Sequence, residues 1–198
     1  MNGEKNLKRT GGLAGLAALT VLAFAPPRMA SASVRQGTIE FLTGRCSISE
    51  PRFKTLYEDK GSIQGLSLSG SVFFNLNLYL DVKTLTRTGT LSYTKEKTTF
   101  RMIPISAGLR YILPLPIAHP YLGVGVDWFF YNEDNPIETV LDATTGYHLL
   151  AGVYLHPFES VPLALNLRVK FTNADAVMEG VPVALGGTEL GITFAIVF

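Results

Sequence analysis

Apolar residues recur at every second position through most of the chain, and the cleanest case is its end. In Gly187–Phe198, Leu190, Ile192, Phe194, Ile196 and Phe198 share one face, while Glu189, Gly191, Thr193, Ala195 and Val197 share the other. A period of two is the period of a β-strand, so this segment has one wholly hydrophobic face. The same alternation predicts seven further strands: Thr38–Ser47, Ile63–Val72, Asn75–Leu85, Thr99–Ile112, Tyr121–Tyr131, Thr145–Leu155 and Leu163–Thr172. In Leu163–Thr172, Leu163, Leu165, Leu167, Val169 and Phe171 oppose Ala164, Asn166, Arg168, Lys170 and Thr172. No helical pattern is predicted in residues 33–198.

The connections alternate in length. Residues 48–62, 86–98, 132–144 and 173–186 are long and polar or turn-rich, whereas 73–74, 113–120 and 156–162 are short. Strands of about ten residues, with short turns at one end and long loops at the other, fit an all-β, eight-stranded antiparallel up-and-down transmembrane barrel. The even strand count puts both ends on the turn side.

The polar face carries Glu40, Asp81, Lys83, Arg110, Asp127, Arg168, Lys170 and Glu189, four acids and four bases. Facing inward, they can neutralise one another in a lumen only just wide enough for side chains. A soluble barrel with these residues in water would need an apolar interior instead. Aromatic residues gather at the predicted strand ends: Trp128, Phe130, Tyr147 and Phe171 on the loop side, Tyr111 and Phe198 on the turn side. Aromatic girdles of this kind mark the edges of a bilayer.

Ahead of the strands, Lys5, Lys8 and Arg9 precede 15 uncharged residues, Gly11–Ala25, and Ala30-Ser31-Ala32 supplies small residues for cleavage. This predicts a cleavable signal peptide, residues 1–32, with the cut after Ala32. The apolar stretch is short of the roughly 20 residues of a membrane-spanning helix. A single barrel domain, 33–198, remains. The signal removes four of 17 basic and one of 16 acidic residues, leaving 13 and 15. That balance offers no basic surface for nucleic acid. Cys46, the one cysteine, reads as a passive strand residue.

The chain resembles the small eight-stranded outer-membrane β-barrel superfamily, which includes the opacity-protein, OmpW-like and OmpX-like domains. The residues that carry the resemblance are Leu190, Ile192, Phe194, Ile196 and Phe198, the stretch Pro120–Tyr131, and Thr145–Tyr154. It implies the outer membrane of a diderm bacterium, outer-membrane lipid as surroundings, and recognition of the last strand by the barrel-assembly machinery.

Three functions follow as expectations. The first is a non-enzymatic, monomeric barrel with a charge-filled lumen, structural or interacting through its extracellular loops. Within those loops Asn132–Thr144, with Glu133, Asp134, Glu138 and Asp142, is the candidate acidic surface for a partner or divalent cation. The second is a narrow OmpW-like channel for small or hydrophobic molecules, lined in part by Leu42, Leu85, Phe129 and Leu150. The third is a lipid-modifying enzyme. Of the three histidines, His119 and His156 read as turn residues, while His148 is placed to pair with Asp127. No serine stands beside His148 at the spacing of the barrel deacylases, so no catalytic residue is assigned. No cofactor is expected, and no spacing of His, Cys, Asp or Glu suggests a metal site.

Overall fold

The computed structural model describes residues 37–51, 53, 57, 60–90, 97–134, 139–155, 161–178 and 181–198. The expected signal segment, His156 and residues 135–138 lie outside the described residues. Among the described residues nine strands form: β1 (Gly37–Ile48), β2 (Lys60–Phe73), β3 (Leu76–Thr90), β4 (Lys97–Ile112), β5 (Ala118–Asp134), β6 (Thr139–Leu155), β7 (Leu163–Met178), β8 (Val181–Ala184) and β9 (Gly187–Val197). Each of β1 to β7 pairs antiparallel with the next, β7 pairs with β9, and β9 pairs with β1. The sheet therefore closes on itself as an eight-stranded barrel. Reciprocal bonds between Gly37 and Phe198, 2.9 and 3.0 Å, finish the seam. Closure leaves the sheet without a free edge, as hydrocarbon demands.

β8 is an addition. Among the described residues it pairs with the outer end of β7 alone, from Asp175↔Ala184 to Met178↔Val181, and stands above β9 on the same side of β7. The turn between β2 and β3 falls at Phe74 and Asn75, one residue later than the alternation predicts, and Phe74 takes a left-handed φ of 46°.

The outward face is apolar over a band of constant height. It runs from Tyr111 to Ile103 on β4, Leu122 to Phe130 on β5, Leu163 to Phe171 on β7 and Phe198 to Leu190 on β9, exposed or half-exposed throughout. Nine positions at about 3.3 Å each, tilted by roughly 40°, give a band about 20 Å tall. Tyr111, Phe73, Phe74 and Phe198 crowd its lower edge and Trp128, Phe130, Tyr147 and Phe171 its upper edge, all exposed. Phe194 is 62% exposed and Leu190 61%, while Glu40 and Asp127 are at 0%. Such an inside-out distribution is stable only where the surroundings are hydrocarbon.

Above the band the polarity inverts. Thr84, Thr86 and Thr88 of β3, Arg101 of β4, and Asn173 and Asp175 of β7 face outward, while Leu85, Phe100, Met102, Ala174 and Ala176 turn inward and are buried. The strands thus continue past the bilayer as an ordinary water-facing sheet. The long loops expected at 86–98, 132–144 and 173–186 are shortened accordingly, because strand pairing persists to Thr90, Asp134 and Met178.

The band predicts a depth-dependent cost. Val126→Arg, at the middle of β5, is expected to destabilise the barrel by about 2–4 kcal/mol, and Thr84→Arg, above the band, by about 0–1 kcal/mol. Urea unfolding in lipid vesicles measures both; equal costs would refute the assignment of the band.

Candidate functional site: a layered interior

Inner positions on the strands stack into three layers. The lowest centres on Glu40 of β1. Its carboxylate accepts from Thr38 Oγ1 (2.9 Å), Arg110 Nη2 (3.0 Å), Asn166 Nδ2 (3.0 Å), Thr193 Oγ1 (2.8 Å) and the Tyr154 hydroxyl. Five donors from β1, β4, β6, β7 and β9 thus converge on one side chain. Arg110 also donates to Ser69 Oγ at 2.6 Å. Its guanidinium lies 5.7, 5.3 and 5.0 Å from the ring centroids of Tyr79, Tyr121 and Tyr154. The aromatic faces help hold a charge that is fully buried in the barrel.

The middle layer holds two ion-pair groups. Arg168 of β7 donates through Nη2 to Asp81 of β3 (2.7 Å) and Glu189 of β9 (2.9 Å), and Lys83 of β3 reaches Glu189 at 2.6 Å. Alongside, Lys170 of β7 binds Asp127 of β5 at 2.5 Å and Ser106 of β4 at 2.7 Å. Asp127 also meets His148 Nδ1 at 2.9 Å, and His148 Nε2 is bonded to the Tyr79 hydroxyl. Both ring nitrogens of His148 are engaged.

The upper layer is apolar. Leu42, Ile63, Leu85, Phe100, Met102, Phe129, Tyr131 and Leu185 pack together with Phe53 and Tyr57 of the segment between β1 and β2. Pro51, Phe53 and Tyr57 are helical, a local structure that the alternation gives no sign of. Phe53 meets Phe100 edge-on at 4.9 Å, and Arg87 lies 5.4 Å from the Phe53 centroid while donating to the Cys46 carbonyl. Cys46 is half-buried and packs against this cluster.

All eight charged residues singled out from the sequence stand in the two lower layers, each within an ion pair. The neutral partners were not singled out: Tyr79, Tyr121, Tyr154, Asn166, Thr193, Ser69 and Ser106. For Tyr79, Tyr154 and Asn166 the signal was their place on the polar face. Leu42, Leu85 and Phe129, candidates for lining a channel, face the interior within the upper cluster, and Leu150 faces it beside the tyrosines of the lower one. His119 lies within β5 rather than in a turn. Asp142 of the candidate acidic segment already accepts from the Tyr131 hydroxyl at 3.1 Å and the Ala143 amide at 2.7 Å. Among the described residues no group of three or more His, Cys, Asp or Glu side chains gathers as a metal site.

No protein-family model matches the sequence, and no curated protein matches it in sequence. Solved structures do match in fold. Neisserial surface protein A shares 15% identity at a TM-score of 0.63, over 82% of this chain and 97% of its own. The outer membrane protein OprG from Pseudomonas aeruginosa shares 13% at 0.59, over 82% and 96%. The outer membrane protein W of E. coli shares 12% at 0.52, over 83% and 98%. At these identities the likeness is one of fold. With the closed eight-stranded sheet, the outward apolar band and the aromatic girdles, it makes this chain a membrane-spanning β-barrel of the outer-membrane type, consistent with residence in the cell outer membrane.

Proposed function

We propose that the protein is a non-enzymatic, monomeric integral barrel of the outer membrane of a diderm bacterium. Its lumen is closed by its own side chains, and it acts by its presence in the membrane or through its extracellular loops. The observation that carries this reading is the layered interior: two storeys of ion pairs capped on the outer side by a packed apolar cluster. Buried ion pairs that bridge the lumen from strand to strand obstruct the path of a solute, and an eight-stranded barrel is only just wide enough for side chains to fill. The one buried histidine among the described residues, His148, has both ring nitrogens engaged by Asp127 and Tyr79, which fits a structural role for it. Outward Leu190, Ile192, Phe194, Ile196 and Phe198 are the residues we assign to recognition by the barrel-assembly machinery.

Current recording tests this directly. Folded protein purified from membranes, verified by heat-modifiable gel mobility, is expected to give no conductance steps in a planar lipid bilayer. Reproducible steps would replace this reading with that of a narrow channel.

A further inference from the structure

One stretch of the lipid-facing surface is hollow. The hollow is a shallow groove, open to the surroundings, that spans β1, β9, β7 and β6. Its floor is a single cross-strand row, Gly44↔Gly191↔Arg168↔Gly152. Three of the four residues have no side chain. A Cβ on Gly44 would lie 2.2 Å from the Leu190 carbonyl oxygen and 2.9 Å from the Gly191 Cα, and one on Gly152 would lie 2.5 Å from the Tyr121 ring. Gly44 and Gly152 therefore let neighbouring atoms approach more closely along this row than a side-chain-bearing residue allows. Outward Thr43, Ala151 and Val169 leave the groove open at those positions, while Leu167, Leu190 and Ile192 form its taller walls.

The row is oblique to the membrane. It begins at Gly44, near the outer end of β1, and continues through Gly152↔Tyr121 and Tyr121↔Ile112 to the turn-side end of β4. At the outer end of the hollow stands Arg45. It faces outward and is exposed, across from Ser62 on the polar rim. No side chain bonds to it among the described residues.

The geometry points to a fixed site for one anionic, phosphate-bearing lipid of the outer leaflet, its phosphate on Arg45 and an acyl chain lying down the glycine row. The argument is charge and shape together. A guanidinium at the membrane edge with no anion paired to it among the described residues matches a phosphate in a forked geometry. An apolar trough descending from it towards the bilayer centre loses packing contacts unless a chain fills it. The inference rests on the barrel's place in a membrane and is independent of whether its lumen conducts.

Native mass spectrometry of the protein purified folded from membranes tests it, after exchange into equal amounts of phosphatidylglycerol and phosphatidylcholine with matched chains. The wild type is expected to retain one phosphatidylglycerol in preference to phosphatidylcholine. Arg45→Gln should lower that preference about tenfold, the loss of a charge-assisted bond. Val169→Trp, which fills the trough, should release the lipid while heat-modifiable mobility stays intact. Arg101→Gln, on the rim of β4 and outside the hollow, should retain it. Equal retention of the two lipids by the wild type, unchanged retention by either Arg45→Gln or Val169→Trp, or an equal loss in Arg101→Gln would overturn the site.

Discussion

Glu40→Ala is expected to lower the stability of the folded barrel by about 3–5 kcal/mol, the cost of stranding a buried charge partner. Glu40 is the only carboxylate in an ion pair with Arg110 among the described residues. Its removal leaves a fully buried guanidinium facing three tyrosine rings and takes the acceptor from Thr38, Tyr154, Asn166 and Thr193 at once. The reverse change is milder. Arg110→Met leaves a carboxylate that still receives four neutral donors, and hydrogen bonds to the charged form are what keep a buried anion tolerable. Equilibrium unfolding in urea, with the barrel in lipid vesicles, reads both. A larger loss for Arg110→Met than for Glu40→Ala would contradict the assignment of Glu40 as the hub.

Arg168→Met should cost a similar amount, about 3–5 kcal/mol, and here compensation is the sharper test. Arg168, Lys83, Asp81 and Glu189 form a neutral group of four in which Arg168 is the cation paired with Asp81. Without it Asp81 is a buried anion lacking an ion pair, whereas Glu189 keeps Lys83. Adding Asp81→Asn restores neutrality and leaves the Lys83–Glu189 pair intact. The double variant is therefore expected to recover part of the loss, a coupling of about 0.5–3 kcal/mol. Glu189→Gln alone should also destabilise, because it leaves Lys83 without an anion. Additive losses from Arg168→Met and Asp81→Asn would show that the two do not act as a pair.

The barrel was legible in the sequence for a physical reason. Inside the bilayer, an outward position has to be apolar and an inward one in a narrow lumen has to be small or paired, so period-two alternation runs unbroken through β5, β7 and β9. The same reasoning fails where the strands leave the membrane. At Leu85–Thr86 on β3 and Asn173–Ala174 on β7 the polarity of the two faces exchanges. A reading that follows one polarity stops there, although pairing continues. β8 was missed for a related reason: four residues containing Pro182 hold too little alternation to register. The charged members of the interior were readable because each sits on an otherwise small or polar face. Their pairing was not, since Glu40 and Asn166 are 126 residues apart in the chain and only closure of the sheet brings them together. Phe53 and Tyr57 carry no periodic signal at all. Their role in the upper layer follows from the contacts of both rings with Phe100.

A closed, dry interior is the central claim, and the reactivity of one inward thiol tests it most directly. Ser67 lies on β2 opposite Asp81 and is 1% exposed. Ser67→Cys, in a Cys46→Ser background, changes little in volume and places a thiol in the middle layer. In folded protein embedded in lipid vesicles, a small water-soluble, positively charged thiol reagent is expected to leave this cysteine unmodified until the barrel is unfolded. Rapid modification of the folded barrel would show a continuous aqueous lumen and contradict the account.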